Sequence, residues 1–265
     1  MHPDAVYQYP IWAVGFLVTG IAVAGAVLVE LAVRRFTSVD IRRMHNDVAA
    51  AMFSIIGVTF AVLLAFVAML AWQGFNLAKA ASYKEAAQIM DVSAAIGGLP
   101  EPAASALHKG IVSYTREVID TEWPAQALGR TDDAGAVDLM QLNRIATGLH
   151  PAAVGDSNFH AALLQALSGL RDARAERLLS AESAVPPIVW FTLILGGVLT
   201  VASASFLGAP SLRMQLAMSS ALAVCGALVL ILIIALSNPF RGDFRVSTAP
   251  FDRVLAQIDT PDGRP

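Results

Sequence analysis

Ala49 to Trp72, AAAMFSIIGVTFAVLLAFVAMLAW, decides the fold: 24 residues without a charge, ending on an aromatic ring. A hydrocarbon core about 30 Å thick is crossed by about 20 helical residues, so the stretch is long enough to span. Three more segments pass the same test: Ile11–Val33, Pro186–Gly208 and Met214–Leu236. Trp12, Trp72 and Trp190 stand at span ends, as rings that are apolar on one side and wet on the other should. The first span is read as a membrane helix rather than a cleaved leader. No basic segment precedes it, and it outruns a leader core of about 7–15 residues.

Composition agrees with the spans. The 265 residues are 56% hydrophobic and only 15% charged, against roughly 25% charged in soluble domains, and mean hydropathy is +0.60. The net charge of −3 gives no basic surface for nucleic acid. A single cysteine, Cys225, excludes a disulfide framework and is read as a small buried hydrophobe. The expected class is all-α and polytopic: a transmembrane hairpin at 1–73, a helical insert at 74–185, a second hairpin at 186–236 and a tail at 237–265.

The insert reads as helical, with a loop at Leu128–Gly135. FNLAKAASYKEAAQIMDVSAAI, Phe75 to Ile96, has neither Pro nor Gly and continues the second span as one rod. Leu99-Pro100-Glu101-Pro102 breaks it, and the next helix is expected to run to Glu122 and end at Trp123-Pro124. Helices over Ala136–Leu149 and, after Pro151 and an Asp156 or Ser157 cap, over Phe159–Glu182 complete the insert. In His45-Asn46-Asp47, Asn46 or Asp47 is expected to cap the second span.

Chemistry of an enzymatic kind is poorly represented. The five histidines, His2 included, never stand at i, i+4, and no HExxH, GxSxG or phosphate-loop pattern occurs. No enzyme activity, cofactor or metal site is expected, and no ionisable group lies inside a span apart from Glu30 near the end of the first.

The second span carries two distinct stripes at about 100° per residue. Gly57, Ala61, Ala65 and Ala68 form a small-residue stripe of the kind that lets helix backbones approach in lipid. Roughly opposite run Thr59, Val62, Phe66, Met69 and Gln73, apolar at the middle and polar at the ends. That stripe either lines an axial pore that gates by dewetting or faces lipid. In the third span Thr192, Gly196, Gly197, Thr200, Ser203 and Ser205 read as a helix–helix interface.

One string after the fourth span is more specific: Ser237-Asn238-Pro239-Phe240-Arg241-Gly242-Asp243-Phe244-Arg245-Val246-Ser247. It resembles the Asn-Pro-Phe-Gly stretch that follows the last membrane helix of bestrophin channels. Over nearly its full length the chain is similar to the mainly bacterial bestrophin-like family, through Arg42–Val48 (RRMHNDV), Leu63-Leu64-Ala65-Phe66, Glu122-Trp123-Pro124, Arg245-Val246-Ser247 and Phe251. The resemblance implies a homo-oligomer, pentameric in bestrophins, in the bacterial inner membrane, with inorganic ions passing an apolar neck of second helices and lipid around it. It implies a cytoplasmic insert and cytoplasmic termini. Charge alone leaves orientation open, because Lys79, Lys84, Arg171, Arg174, Arg177, Arg241, Arg245 and Arg253 oppose Arg34, Arg35, Arg42, Arg43 and Arg213.

The resemblance also implies a calcium site after the last span, but here only Asp243 is left, between Arg241 and Arg245. Calcium takes about six to eight oxygens, so that site is not expected. Asn238-Pro239-Phe240 also reads as a helix stop with an apolar anchor. Two function classes remain: a channel lined by the second helix, and a non-conducting membrane scaffold whose insert binds a partner. A coupled transporter fits less well, because no span is broken or charged.

Overall fold

A computed structural model describes residues 7, 9–130, 132–150, 154–182, 185–209 and 211–260. Ten α-helices follow in order among these: α1 (Ile11–Phe36), α2 (Val39–Met44), α3 (Asn46–Ile96), α4 (Ala103–Glu117), α5 (Trp123–Ala127), α6 (Ala134–Thr147), α7 (Val154–Ser180), α8 (Pro187–Ser205), α9 (Leu212–Ser237) and α10 (Ala249–Ile258). A π-helical turn, Val118–Glu122, joins α4 to α5. No strand occurs among the described residues. The helices α1, α3, α8 and α9 are long and apolar enough to cross a membrane, which makes this a membrane protein with four candidate spans.

The chain divides into two compact units: residues 1–74 with 183–237, and residues 75–182 with 238–265. The 51-residue α3 contributes its first part to one and the remainder to the other. Pro151, His2, residues 183–184 and the tail's last residues, 261–265, lie outside the described residues.

In the first unit α1 packs along α9 and α8, and α8 and α9 form a hairpin. Lipid supplies no hydrophobic drive between helices, so the contact relies on small side chains: Ala26 on α1 and Ala223, Ala227 and Ser219 on α9 are buried. The small residues of α8 serve the same end. Phe60 of α3 lies against Gly196 and Gly197, and a Cβ on Gly196 would stand 2.6 Å from the ring's Cδ2. Thr200 and Ser205 are buried, while Thr192 is exposed and donates to the Ile188 carbonyl.

The second unit has an ordinary apolar core. Ile89 and Val92 of α3, Leu107 and Ile111 of α4, Leu142 of α6, and Leu163, Leu167 and Leu170 of α7 are fully buried. Each such side chain stabilises by about 1.5–3 kcal/mol relative to exposure. The spacing of the α7 leucines, i, i+4, i+7, is that of one helix face.

Four expectations are corrected. Trp123-Pro124 does not stop the helix: the Trp123 N–H donates to the Val118 carbonyl five residues back, and Pro124 falls in the first turn of α5, where its missing N–H is no loss. Of the two residues expected at the start of α3, Asp47 stands in its first turn, where the dipole favours a carboxylate, but the Asn46 side-chain oxygen accepts instead from the Gly208 N–H at 3.0 Å and so ties the α8–α9 turn to the start of α3. The last insert helix begins at Val154, not Phe159, with Asp156 in its first turn, where the dipole favours a carboxylate. Cys225 is exposed, because the packed stripe of α9 passes through Ser219, Ala223 and Ala227 instead.

Candidate pore-lining helix

Along its membrane part α3 presents three faces. Leu64, Val67 and Ala71 are buried, and with Phe60 they form the one face packed on the rest of the unit. About 150° round the helix, Thr59, Val62, Phe66, Met69 and Gln73 are all exposed, Phe66 by 64%. On the third face Ala61 and Ala65 are exposed, Gly57 and Ala68 are half-buried, and a Cβ on Gly57 would meet nothing within 4 Å. Neither stripe singled out from sequence is consumed by packing inside a single copy. The Thr59 hydroxyl donates to the Ile55 carbonyl at 2.8 Å, which leaves its oxygen as an acceptor at one end of the exposed stripe.

The string after the last span is an anchor in the second unit. Phe240 is buried edge-to-face on Trp123, with centroids 5.2 Å apart, and Phe251 meets the same ring at 5.4 Å. The Trp123 indole N–H donates to the Val246 carbonyl, and the Val246 N–H donates to the Pro239 carbonyl at 2.8 Å. Pro239 is buried with Phe240, Asn238 is half-buried, and Asp243 and Arg245 are exposed. Among the described residues no group of three or more His, Cys, Asp or Glu side chains is placed to hold a metal ion.

Beneath Trp123 lies a charged cluster that sequence reasoning did not find. Arg177 of α7, fully buried, donates from Nε to Glu85 Oε2 at 2.5 Å and from Nη2 to Glu85 Oε1 at 3.2 Å and Glu122 Oε2 at 2.5 Å. Arg174 pairs with Glu122 Oε1, and the Tyr114 hydroxyl donates to Glu85 Oε1 at 2.6 Å. The Arg177 guanidinium lies over the Trp123 ring, 5.6 Å from its centroid. Two carboxylates thus balance two guanidiniums in the dry centre of the insert.

Burial, and next the Glu85 carboxylate, push the Tyr114 phenol well above its usual value. Burial works against the charge of Arg177, but Glu85, and after it Glu122, outweigh that and hold its proton more tightly than usual.

The signal was available in the spacing. Arg174 and Arg177 continue the Leu163, Leu167, Leu170 stripe, and Glu85 falls on the stripe of Ser82, Ile89 and Val92. A charge in a core register is a paired charge.

Comparison with known proteins places these observations. The bestrophin-like domain family matches residues 20–251. No curated protein matches the chain by sequence. A crystal structure of a single-substitution variant of a bacterial bestrophin homologue from Klebsiella pneumoniae superposes with a TM-score of 0.68 at 14% identity, over 93% of this chain and 99% of that one. A second variant of that homologue gives 0.62 at 13%, over 92% and 97%. A structure described as a membrane protein gives 0.62 at 13% over the same shares. At these identities the likeness is one of fold.

Proposed function

Because the chain belongs to the bestrophin-like family, we propose that it is an oligomeric ion channel in which copies of α3 surround one axis. The observation that carries this is the pair of α3 faces left uncovered in a single copy. Gly57, Ala61, Ala65 and Ala68 supply a surface on which a neighbouring helix can approach closely. Thr59, Val62, Phe66, Met69 and Gln73 then face the axis. Thr59 and Gln73 stand about 21 Å apart along the helix and supply polar ends. Phe66 and Met69 form the narrow apolar part, which closes by dewetting and opens by a small change in radius.

The same reading makes the assembly a pentamer of the bacterial inner membrane, with residues 74–185 and both ends on the cytoplasmic side. Asn238, Pro239 and Phe240 hold the chain after the last span against Trp123, and Asp243 and Arg245 are exposed. Fold alone does not carry activity, so flux decides. Purified protein in liposomes should pass ions, with Phe66→Ala raising flux and Phe66→Trp lowering it. A scaffold gives no flux above protein-free liposomes in any of the three, and that result defeats the channel reading.

A further inference from the structure

The end of the first unit where α1 passes into α2, and α8 into α9, holds an arrangement that conduction along α3 does not use. Arg42 is 3% exposed. Its Nη1 donates to Glu30 Oε1 at 3.2 Å and to the Ser205 carbonyl at 2.8 Å. Its Nε and Nη2, equally buried, have no partner. Arg34 Nε also donates to Glu30 Oε1, at 3.1 Å. Glu30 keeps one oxygen, Oε2, without a partner, yet one carboxylate stands against two guanidiniums and a positive charge is left over. Buried donors without acceptors are costly, most of all on a charged group.

Arg42 also forms part of the wall of a cavity of about 480 Å³ between α2, the start of α3 and the end of α8. The rest of that wall is almost wholly apolar, with Ile41, Met52, Ile56, Leu199 and Phe206 as its larger members. The volume is that of a ligand site. A small polar solute finds only Thr37, Arg42, His45 and Ser203 there among apolar side chains, and a plain hydrocarbon leaves the guanidinium donors bare. The occupant that satisfies both has an acidic oxygen group joined to a long apolar chain. It must also reach a cavity at the ends of membrane spans, where headgroups lie.

From this geometry we propose that the cavity takes one acyl chain of an anionic phospholipid of the surrounding bilayer, with the Arg42 head turning toward the cavity so that a phosphate oxygen accepts from its Nε and Nη2. The exposed Arg43 and His45 beside it in the chain favour the same charge. The occupant would close the gap between α2, α3 and α8 and supply the acceptors that the Arg42 donors lack.

The test uses the full chain in detergent, titrated with dioleoyl phosphatidylglycerol or dioleoyl phosphatidylcholine, reading retained lipid by native mass spectrometry and the thermal midpoint. The phosphatidylglycerol should be held at least about tenfold more tightly, because both lipids offer the same phosphate oxygens but the trimethylammonium of the phosphatidylcholine meets the surplus positive charge of Arg34, Arg42 and Arg43, and it should raise the midpoint more. Ala202→Phe, which fills the cavity from α8, should abolish retention, and Arg42→Gln should abolish the preference. Equal retention of the two lipids by the wild type overturns the proposal. So does undiminished phosphatidylglycerol binding in Ala202→Phe, and so does inorganic phosphate alone reproducing the midpoint shift. The readout is lipid retention, so the outcome is independent of whether the protein conducts.

Discussion

Replacing Arg177 by Met keeps most of the stem volume and removes the charge from the centre of the insert. Arg177 supplies three hydrogen bonds to two carboxylates, two at 2.5 Å and one at 3.2 Å. Each bond to a charged group is worth about 1.5–3 kcal/mol, and they are not additive. Glu122 retains Arg174, but Glu85 keeps only the Tyr114 hydroxyl. Leaving a buried carboxylate without its cation costs about 3–5 kcal/mol, which sets the expected loss. In urea, with a slope of about 2 kcal/mol per molar, that moves the midpoint down by about 2 M. Circular dichroism and tryptophan fluorescence on protein in detergent read the shift, and their coincidence checks that a single transition is followed. Adding Glu85→Gln to Arg177→Met should restore a large part, because Gln still accepts from Tyr114 and leaves no orphan charge. An Arg177→Met protein within about 0.5 kcal/mol of wild type, or a double variant no better than the single, would show that the cluster is not the buried pair of ion pairs described above.

Three further outcomes follow from the same structure. The Tyr114 phenol holds its proton more tightly folded than unfolded, so its contribution is complete below its usual value of 10.0 and is lost as pH rises past it. Unfolding midpoints should therefore fall above pH 10 in the wild type and fall less steeply in Tyr114→Phe; equal alkaline slopes would contradict this. Gly196→Leu drives a side chain into Phe60 and should destabilise the single chain by about 1–3 kcal/mol. Gly57→Leu meets open space within one copy and should leave the monomer's stability unchanged while shifting its assembly in size-exclusion chromatography with light scattering; an unaltered assembly would remove the small-residue stripe from the subunit contact.

The spans and the continuous α3 were legible because a charge-free helix of 20 residues has one stable setting, in lipid. The three faces of α3 were half legible. Periodicity sets Phe66 and Met69 on a different side from Gly57 and Ala61, but the face that packs at home, Leu64, Val67 and Ala71, is as apolar as the others and is identified only by Gly196 and Gly197 lying opposite. The Asn46 oxygen has two uses open to it, a helix cap or the Gly208 amide 162 residues away, and local sequence favours the first. The buried cluster was hidden for a different reason. Glu85, Glu122 and Arg177 come from three separate helices, and each alone resembles a solvated charge on an amphipathic surface. Only their registers, aligned with leucines and isoleucines, distinguish them.

The turn at Val118–Glu122 is one residue wider than an α-helical turn, and it sets the register in which Glu122 meets Arg174 and Arg177 while Trp123, next in sequence, receives Phe240 and Phe251. One residue fewer would rotate everything beyond the turn by about 100° relative to α4, and the carboxylate and the indole would no longer both meet these partners. Deleting any single residue from 118 to 122 would leave a smoother helix and a poorer protein. Either the acid swings toward water and strands Arg174, or the ring does and the polypeptide beyond the fourth span loses its mooring. In that sense one surplus residue lets a salt-bridged centre and an aromatic clasp be built back to back on a single rod.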